Sequence, residues 1–400
     1  MKGTNSNIRP FLYLCWQTVL FEKNMAFNDT TQHYALLDGI RGVAAFLVVW
    51  YHIFEGYAFA SGSMITMVNH GYLAVDFFFM LSGFVISYAY DDRWNKTIDY
   101  KGFFKRRLIR LHPMVVLGAI IGAITFAIQG FTRWDGSHVA ISSVMLALLC
   151  AMFLIPATQG SCYDVRGNGE MYSLNGPSWS LFFEYIANIL YAIALRRVGK
   201  ITLCVIVATL GIAHALFATL DISGYGMIGV GWTLDTVNYL GGLIRMLFPF
   251  TIGILLSRSS ARIKVNGAFW ISAIALLILF HVPYISGKIF DTLTINGIYE
   301  FVVVACIFPI LLLIGASGKT TDRITENINL FLGELSYPLY IVHYPVLYLF
   351  YAWLIKNSIY TIEDSWQVAL PVYVGAVVLA WLCLKFYDRP VRKWLSKRFQ

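Results

Sequence analysis

The sequence predicts an all-α fold: a polytopic transmembrane helical bundle of about ten spans, with both termini cytoplasmic. Three observations predict it. Of the 400 residues, 58% are hydrophobic and only 13% charged, whereas about a quarter of the residues of a soluble domain are charged. The apolar residues gather in runs close to the ~20 residues needed to cross a hydrocarbon core. Lysine and arginine collect in alternate loops, as the positive-inside bias requires. The composition excludes a disordered, collagenous, coiled-coil or disulfide-framework chain. The net charge of +8 reports loop orientation and gives no reason to expect a nucleic-acid partner.

Taken in order, residues 1–34 read as a leader. Lys2 and Arg9 precede a short apolar stretch, Pro10 to Phe21, with no small-residue cleavage pattern after it. The leader is expected to be peripheral, or to lie ahead of a true start at Met25. Candidate spans follow at Leu36 to Phe54, Tyr72 to Tyr90, Met114 to Ile128, Val139 to Ile155, Trp179 to Leu195 and Ile201 to Leu220. Others are Val237 to Leu256, Ala268 to Val282, Ile298 to Ile314, Phe331 to Leu354 and Val368 to Tyr387. The basic loops Arg93 to Arg110, Arg196 to Lys200, Arg258 to Lys264 and Lys319 to Arg323 should be cytoplasmic. Glu55 to His70 and Asp221 to Thr236, without lysine or arginine, should lie outside. Between Arg110 and Arg196 three runs occupy a stretch that allows only an even number of crossings, so Met114 to Ile128 or Val139 to Ile155 must fall short. Residues 35–390 thus form one membrane domain and 391–400 a basic cytoplasmic tail.

The cysteines, Cys15, Cys150, Cys162, Cys204, Cys306 and Cys383, show no CxxC or zinc spacing and read as small core residues; no metal is expected. Gly224, Gly226, Gly229 and Gly231 lack the strand–turn–helix setting of a nucleotide loop.

Ionisable groups inside apolar spans are costly and mark candidate sites. The first span carries Asp38 and Arg41 at its cytoplasmic end and His52 toward its outer end. Arg41 and His52 are eleven residues apart, which is three turns plus about 20°, so they share a face about 16 Å apart along the axis. A pantetheine arm has comparable reach: the cation can hold phosphates while the imidazole meets a thioester. The plainer reading is that Arg41 snorkels and His52 bonds a neighbouring helix. His214, mid-span, reads as an interhelical hydrogen bond.

LDGIRGVAAFLVVWYH resembles the opening helix of the acyltransferase-3 family of integral membrane acyltransferases. Further stretches match in order: VDFFFMLSGFVIS with Asp76 and Ser82, KRRLIRLHP with Arg107 and Arg110, PSWSLFFEY with Trp179, Ser180 and Glu184, LGELSYPLYIVHYPV with Ser336, Tyr337 and His343, and FYDRPVRK. The resemblance runs from about Leu37 to the end. His112 stands where the family commonly has an aromatic residue, and Asp388 where it has glutamate. The chain is expected to stand alone, without a fused SGNH-type hydrolase-like domain.

The resemblance implies transfer of an acyl group, usually acetyl from acetyl-CoA, to a hydroxyl of a carbohydrate of the cell envelope, by an enzyme of the inner (cytoplasmic) membrane. Arg107 and Arg110, at i and i+3, suit CoA phosphates together with Arg41. His52 becomes the general base or an acyl acceptor in a relay, and Glu184 a carboxylate that orients His52 or binds acceptor hydroxyls. Asp38, Asp76, Ser82, Trp179, Ser336, Tyr337 and His343 fall to substrate contact or support. A flippase for lipid-linked sugars would share the size and the intramembrane charges, but needs neither RxxR nor the Arg41–His52 spacing. A structural subunit would need few of these groups.

Overall fold

The computed structural model describes residues 34–63, 69–259, 261, 263–318, 320 and 322–399. The leader other than Tyr34, with Cys15 and Met25, lies outside them, as do Arg262 and Lys319. Among the described residues nine helices are long and apolar enough to span a membrane. The first six elements are α1 (Ala35–Ser61), α2 (Ala74–Tyr90), α3 (Tyr100–Ile128), α4 (Ile141–Met152), α5 (Ser178–Ile193) and α6 (Lys200–Thr219). Then come α7 (Thr236–Ser257), α8 (Ala268–His281) and a small hairpin of Lys288–Ile289 with Leu293–Thr294. α9 (Ile295–Val302) and α10 (Phe308–Ser317) are joined by a π turn into one span, and α11 (Arg323–Asn357) follows. α12 (Trp366–Cys383) continues through a second π turn, Leu384–Asp388, into α13 (Arg389–Phe399).

The parity problem resolves in favour of Met114 to Ile128, which belongs to the 29-residue α3. Val139 to Ile155 yields only the 12-residue α4, roughly 18 Å long and too short for a ~30 Å core. The run from Ala268 yields a 14-residue helix, yet it reaches from Leu36 and Gly318 at Ala268 to His70 at Val282, opposite ends of the bundle, as the parallel course of α1 and α11 requires. The basic segment 391–400 is helical as far as Phe399, and Lys105 Nζ of α3 lies 5.9 Å from the Phe399 ring centroid.

Local chemistry sets the helix ends. Asp99, Asp235 and Asp322 accept from the backbone N–H of Gly102, Asn238 and Thr325 at 2.7, 3.0 and 2.7 Å, as N-caps do. Gly62, in the left-handed region, closes α1. α1 therefore runs past Phe54, and Glu55, which the sequence assigned to the outer loop, is inside the helix.

The bundle is organised around α1 and α11, which run parallel in close contact. An added β-carbon at Gly39 would strike Asn329, one at Gly42 the Leu332 carbonyl, and one at Gly56 the Tyr351 ring. Small residues permit this approach, the usual device for helix pairs in lipid. Around the pair, Arg245 of α7 and Asp76 of α2 form a buried ion pair at 2.7 Å. The Arg245 guanidinium also donates to the Val230 and Tyr72 carbonyls at 2.8 and 3.0 Å.

Two expectations are corrected. The cysteines are not core residues as a group: Cys162, Cys204 and Cys306 are exposed, Cys150 is half-buried, and Cys383 is buried. Cys204 and Cys306 lie in apolar spans, where an outer face in contact with lipid need not be polar, and Cys162 lies in the loop before α5. His214 is buried, yet neither ring nitrogen has a hydrogen-bond partner among the described residues. It packs against the Phe248 and Phe301 rings at 5.1 and 6.0 Å.

Candidate active site

The candidate residues fall at two levels along α1 and α11. At the basic level, Arg41 is held by three groups. Its Nη1 pairs with Asp38 Oδ1 at 2.8 Å, Nε donates to Ser336 Oγ at 2.8 Å, and Nη2 donates to the Gly333 carbonyl at 3.0 Å. Ser336 Oγ donates to the same carbonyl at 2.7 Å. Arginine fits here because its planar fork makes several directed bonds at once. The charges of Arg110 and Arg392 both act on Arg41, and Arg110 is exposed.

Arg107 behaves differently from its neighbour. It is buried, and its Nη2 donates to Glu184 Oε1 at 2.6 Å, while Ser82 Oγ donates to the same oxygen at 2.5 Å. Arg107 Nε has no partner among the described residues. Arg107 and Arg110 therefore do not present equal cations: the first is spent largely on Glu184, the second is open. Asp388, in the π turn, pairs with Arg392 at 2.7 Å, and π turns recur at functional positions. Tyr337 OH donates to the Leu111 carbonyl at 2.7 Å, tying α11 to the arginine turn of α3.

At the upper level His52 Nδ1 lies 2.6 Å from Glu55 Oε2. A carboxylate accepts only, so Nδ1 carries the proton and Nε2 keeps its lone pair. Glu55 Oε2 also accepts from Tyr344 OH at 3.0 Å and Tyr351 OH at 3.1 Å. The carboxylate that orients His52 is thus Glu55, not Glu184. It is one helical turn away on the same face, in the run WYHIFEG, and an i, i+3 search would have found it. Assigning Glu55 to a loop hid it.

The His52 ring stacks on His343, centroids 5.3 Å apart, and meets Tyr344 edge-on at 4.8 Å. His343 is fully buried, its Nδ1 bonded to the Leu339 carbonyl at 3.0 Å and its Nε2 without a partner among the described residues. The two imidazoles share a tautomer, since each has an acceptor at Nδ1, but only His52 is backed by a charge.

Asp76 and Trp179 stand apart from both levels. Asp76 is consumed by Arg245, and the Arg245 guanidinium lies 5.3 Å from the Trp179 ring centroid. Ser180 Oγ and Tyr340 OH are 2.8 Å apart, joining α5 to α11 below His343. Glu300, absent from the sequence reading, is fully buried and accepts from Tyr72 OH and from Ile228 N at 3.0 Å. Beyond the His52 level, in the loop before α5, burial raises the Glu170 carboxyl to about 7. Glu170 accepts from Tyr348 OH. Arg245 and Glu300 lie inside the candidate spans Val237 to Leu256 and Ile298 to Ile314, so the rule that marked His52 would also have found them; Glu170, in a loop, carries no such local signal.

Comparison with known proteins bears on the family of the chain. A family model described as an acyltransferase domain matches residues 34–385. Protein 2 in the picA locus of Rhizobium radiobacter is 36% identical over 168 residues, which is 40% of this chain and 82% of that protein. O-acetyltransferase OatA of Staphylococcus aureus is 23% identical over 374 residues, or 91% of this chain. The match spans 58% of the length of OatA. No solved structure matches. With most of its length matched by the family model and nine helices among the described residues apolar and long enough to span, this chain is a multi-pass membrane protein of the acyltransferase-3 family.

Proposed function

We propose that the protein is an O-acyltransferase of the inner membrane that moves an acetyl group from acetyl-CoA to a hydroxyl of an exported or envelope carbohydrate. The observation that carries this reading is the Glu55–His52 pair, at 2.6 Å, on the same helix as Arg41. Acetyl-CoA enters from the cytoplasmic, basic level, where Arg41, Arg110 and Arg392 meet its phosphates; both termini are on that side. The pantetheine arm runs along the face of α1 that carries Arg41 and His52. Arg107 and Glu184 hold each other and fix α3 against α5, with Ser82 of α2 completing the joint.

In the reaction, His52 Nε2 takes the proton of the acceptor hydroxyl as its oxygen attacks the thioester carbonyl. Glu55 stabilises the imidazolium that forms, as the carboxylate of a triad does. The tetrahedral intermediate expels CoA thiolate, which takes the proton from His52 Nε2. One C–O bond forms, one C–S bond breaks, and the base is restored. His343, stacked beneath His52, fixes its ring plane.

The test is mass spectrometry of surface and exported glycans from cells with and without the gene, alongside CoA release by the purified chain. Gene-dependent ester acetate with matching CoA release is expected. Sugar translocation without acetylation would support a flippase instead.

A further inference from the structure

A second set of unpartnered polar groups sits at the end of the bundle away from Arg107 and Arg110. There, α3 ends at Ile128 and the Gln129 side chain accepts from Arg166 Nη1 at 2.7 Å. Arg166 is 1% exposed, its Nε donates to the Ser173 carbonyl at 2.7 Å, and its Nη2 has no partner among the described residues. Three aromatic faces enclose its guanidinium: Tyr348 at 3.6 Å, and Phe126 and Trp134 at 5.0 Å each. Arg133 Nε and Trp134 Nε1 are likewise buried donors without partners, and Asn168 Oδ1 is a buried acceptor without one.

These groups form a floor and a rim. Arg166 and Glu170 are buried, whereas Trp134, Asn168 and Phe59 are half-buried. Trp134 lies against Phe59 at 5.1 Å and Tyr348 at 5.9 Å between ring centroids. The same rings lead directly to the proposed base. Tyr348 packs on Tyr344 at 4.7 Å and Phe59 on Tyr351 at 5.9 Å. The Tyr344 and Tyr351 hydroxyls both donate to Glu55 Oε2.

Buried N–H groups without acceptors are costly, and a site that keeps several is completed by what binds there. The surplus is of donors, so the missing ligand must offer oxygen acceptors. It must also have an apolar face that fits an aromatic plane. A lipid chain satisfies no N–H, and an inorganic phosphate makes no use of aromatic planes. A pyranose meets both demands, through hydroxyl and ring oxygens at its edge and C–H groups on its face. We propose that this cluster is the acceptor subsite, in which one sugar ring lies on the face of Trp134 and bonds Arg166 Nη2 and Asn168 Oδ1, while an oxygen of the adjoining sugar accepts from Trp134 Nε1 at the indole edge. From there the glycan passes Tyr344 and brings a hydroxyl to His52.

The proposal rests on the acyltransferase reading, and one experiment separates the two. Glycan extracted from cells lacking the gene serves as acceptor for the purified full chain, with acetyl-CoA as donor, and rates are followed against glycan concentration. Trp134→Ala is expected to raise KM for glycan about tenfold or more, a loss on the scale of one good contact. Its kcat should change less than about threefold, and its acetyl-CoA affinity should match wild type. Trp134→Phe keeps the platform and should recover part of the loss. Asn168→Ala, on the rim, should raise KM without disturbing the stacked rings. Unchanged KM in both alanine variants, or a parallel fall of kcat, acetyl-CoA affinity and melting temperature in Trp134→Ala with no KM effect in Asn168→Ala, overturns the subsite. If wild type itself acetylates no glycan, the acyltransferase reading falls, and the subsite with it.

Discussion

At the scale of single residues, the two histidines differ in what stands behind them. His52 Nδ1 faces a carboxylate and His343 Nδ1 a backbone carbonyl, so only His52 gains a countercharge when its Nε2 accepts a proton. A hydroxyl is a poor nucleophile at neutral pH, and a placed base contributes about 10²–10⁴-fold. His52→Gln is therefore expected to lower transfer by that order per correctly inserted molecule, measured as acetylated glycan. Glu55→Gln leaves the ring in place but removes the charge and allows the wrong tautomer, at a cost of about 10²-fold or more. His214→Gln, at a buried histidine packed on Phe248 and Phe301, is the control. Equal losses in the control and in His52→Gln would point to general destabilisation.

At the scale of elements, hydropathy over ~20 residues is a local property, and most spans were legible for that reason. Length was less so: α4 is as apolar as its neighbours, yet it covers only Ile141–Met152 of the expected Val139 to Ile155. The site was legible only where its residues share a helix, as Arg41 and His52 do. Ser82, Arg107 and Glu184 meet across three helices, and His52 meets His343 across two, pairings that no local pattern encodes. The α1–α11 joint offers a direct check. Gly42→Val would drive a side chain into the Leu332 backbone, an overpacking that costs about 1–3 kcal/mol. Separating the helices should also break Arg41 from Ser336, so both melting temperature in detergent and transfer should fall. A variant as stable and active as wild type would mean that the helices are not held this closely.

Across the whole molecule, a few ion pairs with buried partners join distant helices. Asp76 and Arg245 are almost fully enclosed, so removing one partner strands the other. Asp76→Asn is expected to cost about 3–5 kcal/mol, read as lost folded protein and a lower melting temperature. The double change Asp76→Asn with Arg245→Met should recover much of it, because the stranded charge is gone. Failure of the double variant to recover would assign Arg245 a role beyond pairing, through its bonds to the Val230 and Tyr72 carbonyls.

The parallel contact of α1 with α11 also has a consequence for biosynthesis. Arg41 and the Ser336 it bonds are 295 residues apart in sequence. At about 5–20 residues per second, the first span enters the membrane roughly 15–60 s before its partner is made. Throughout that interval Arg41 lacks Ser336 and Gly333, and His52 and Glu55 lack His343, Tyr344 and Tyr351. The first helix must wait with its charges near the interface or sheltered by the insertion machinery. A nascent chain halted before Arg323 would hold the whole of α1 and still have no site, so activity arises only as the last spans close on the first.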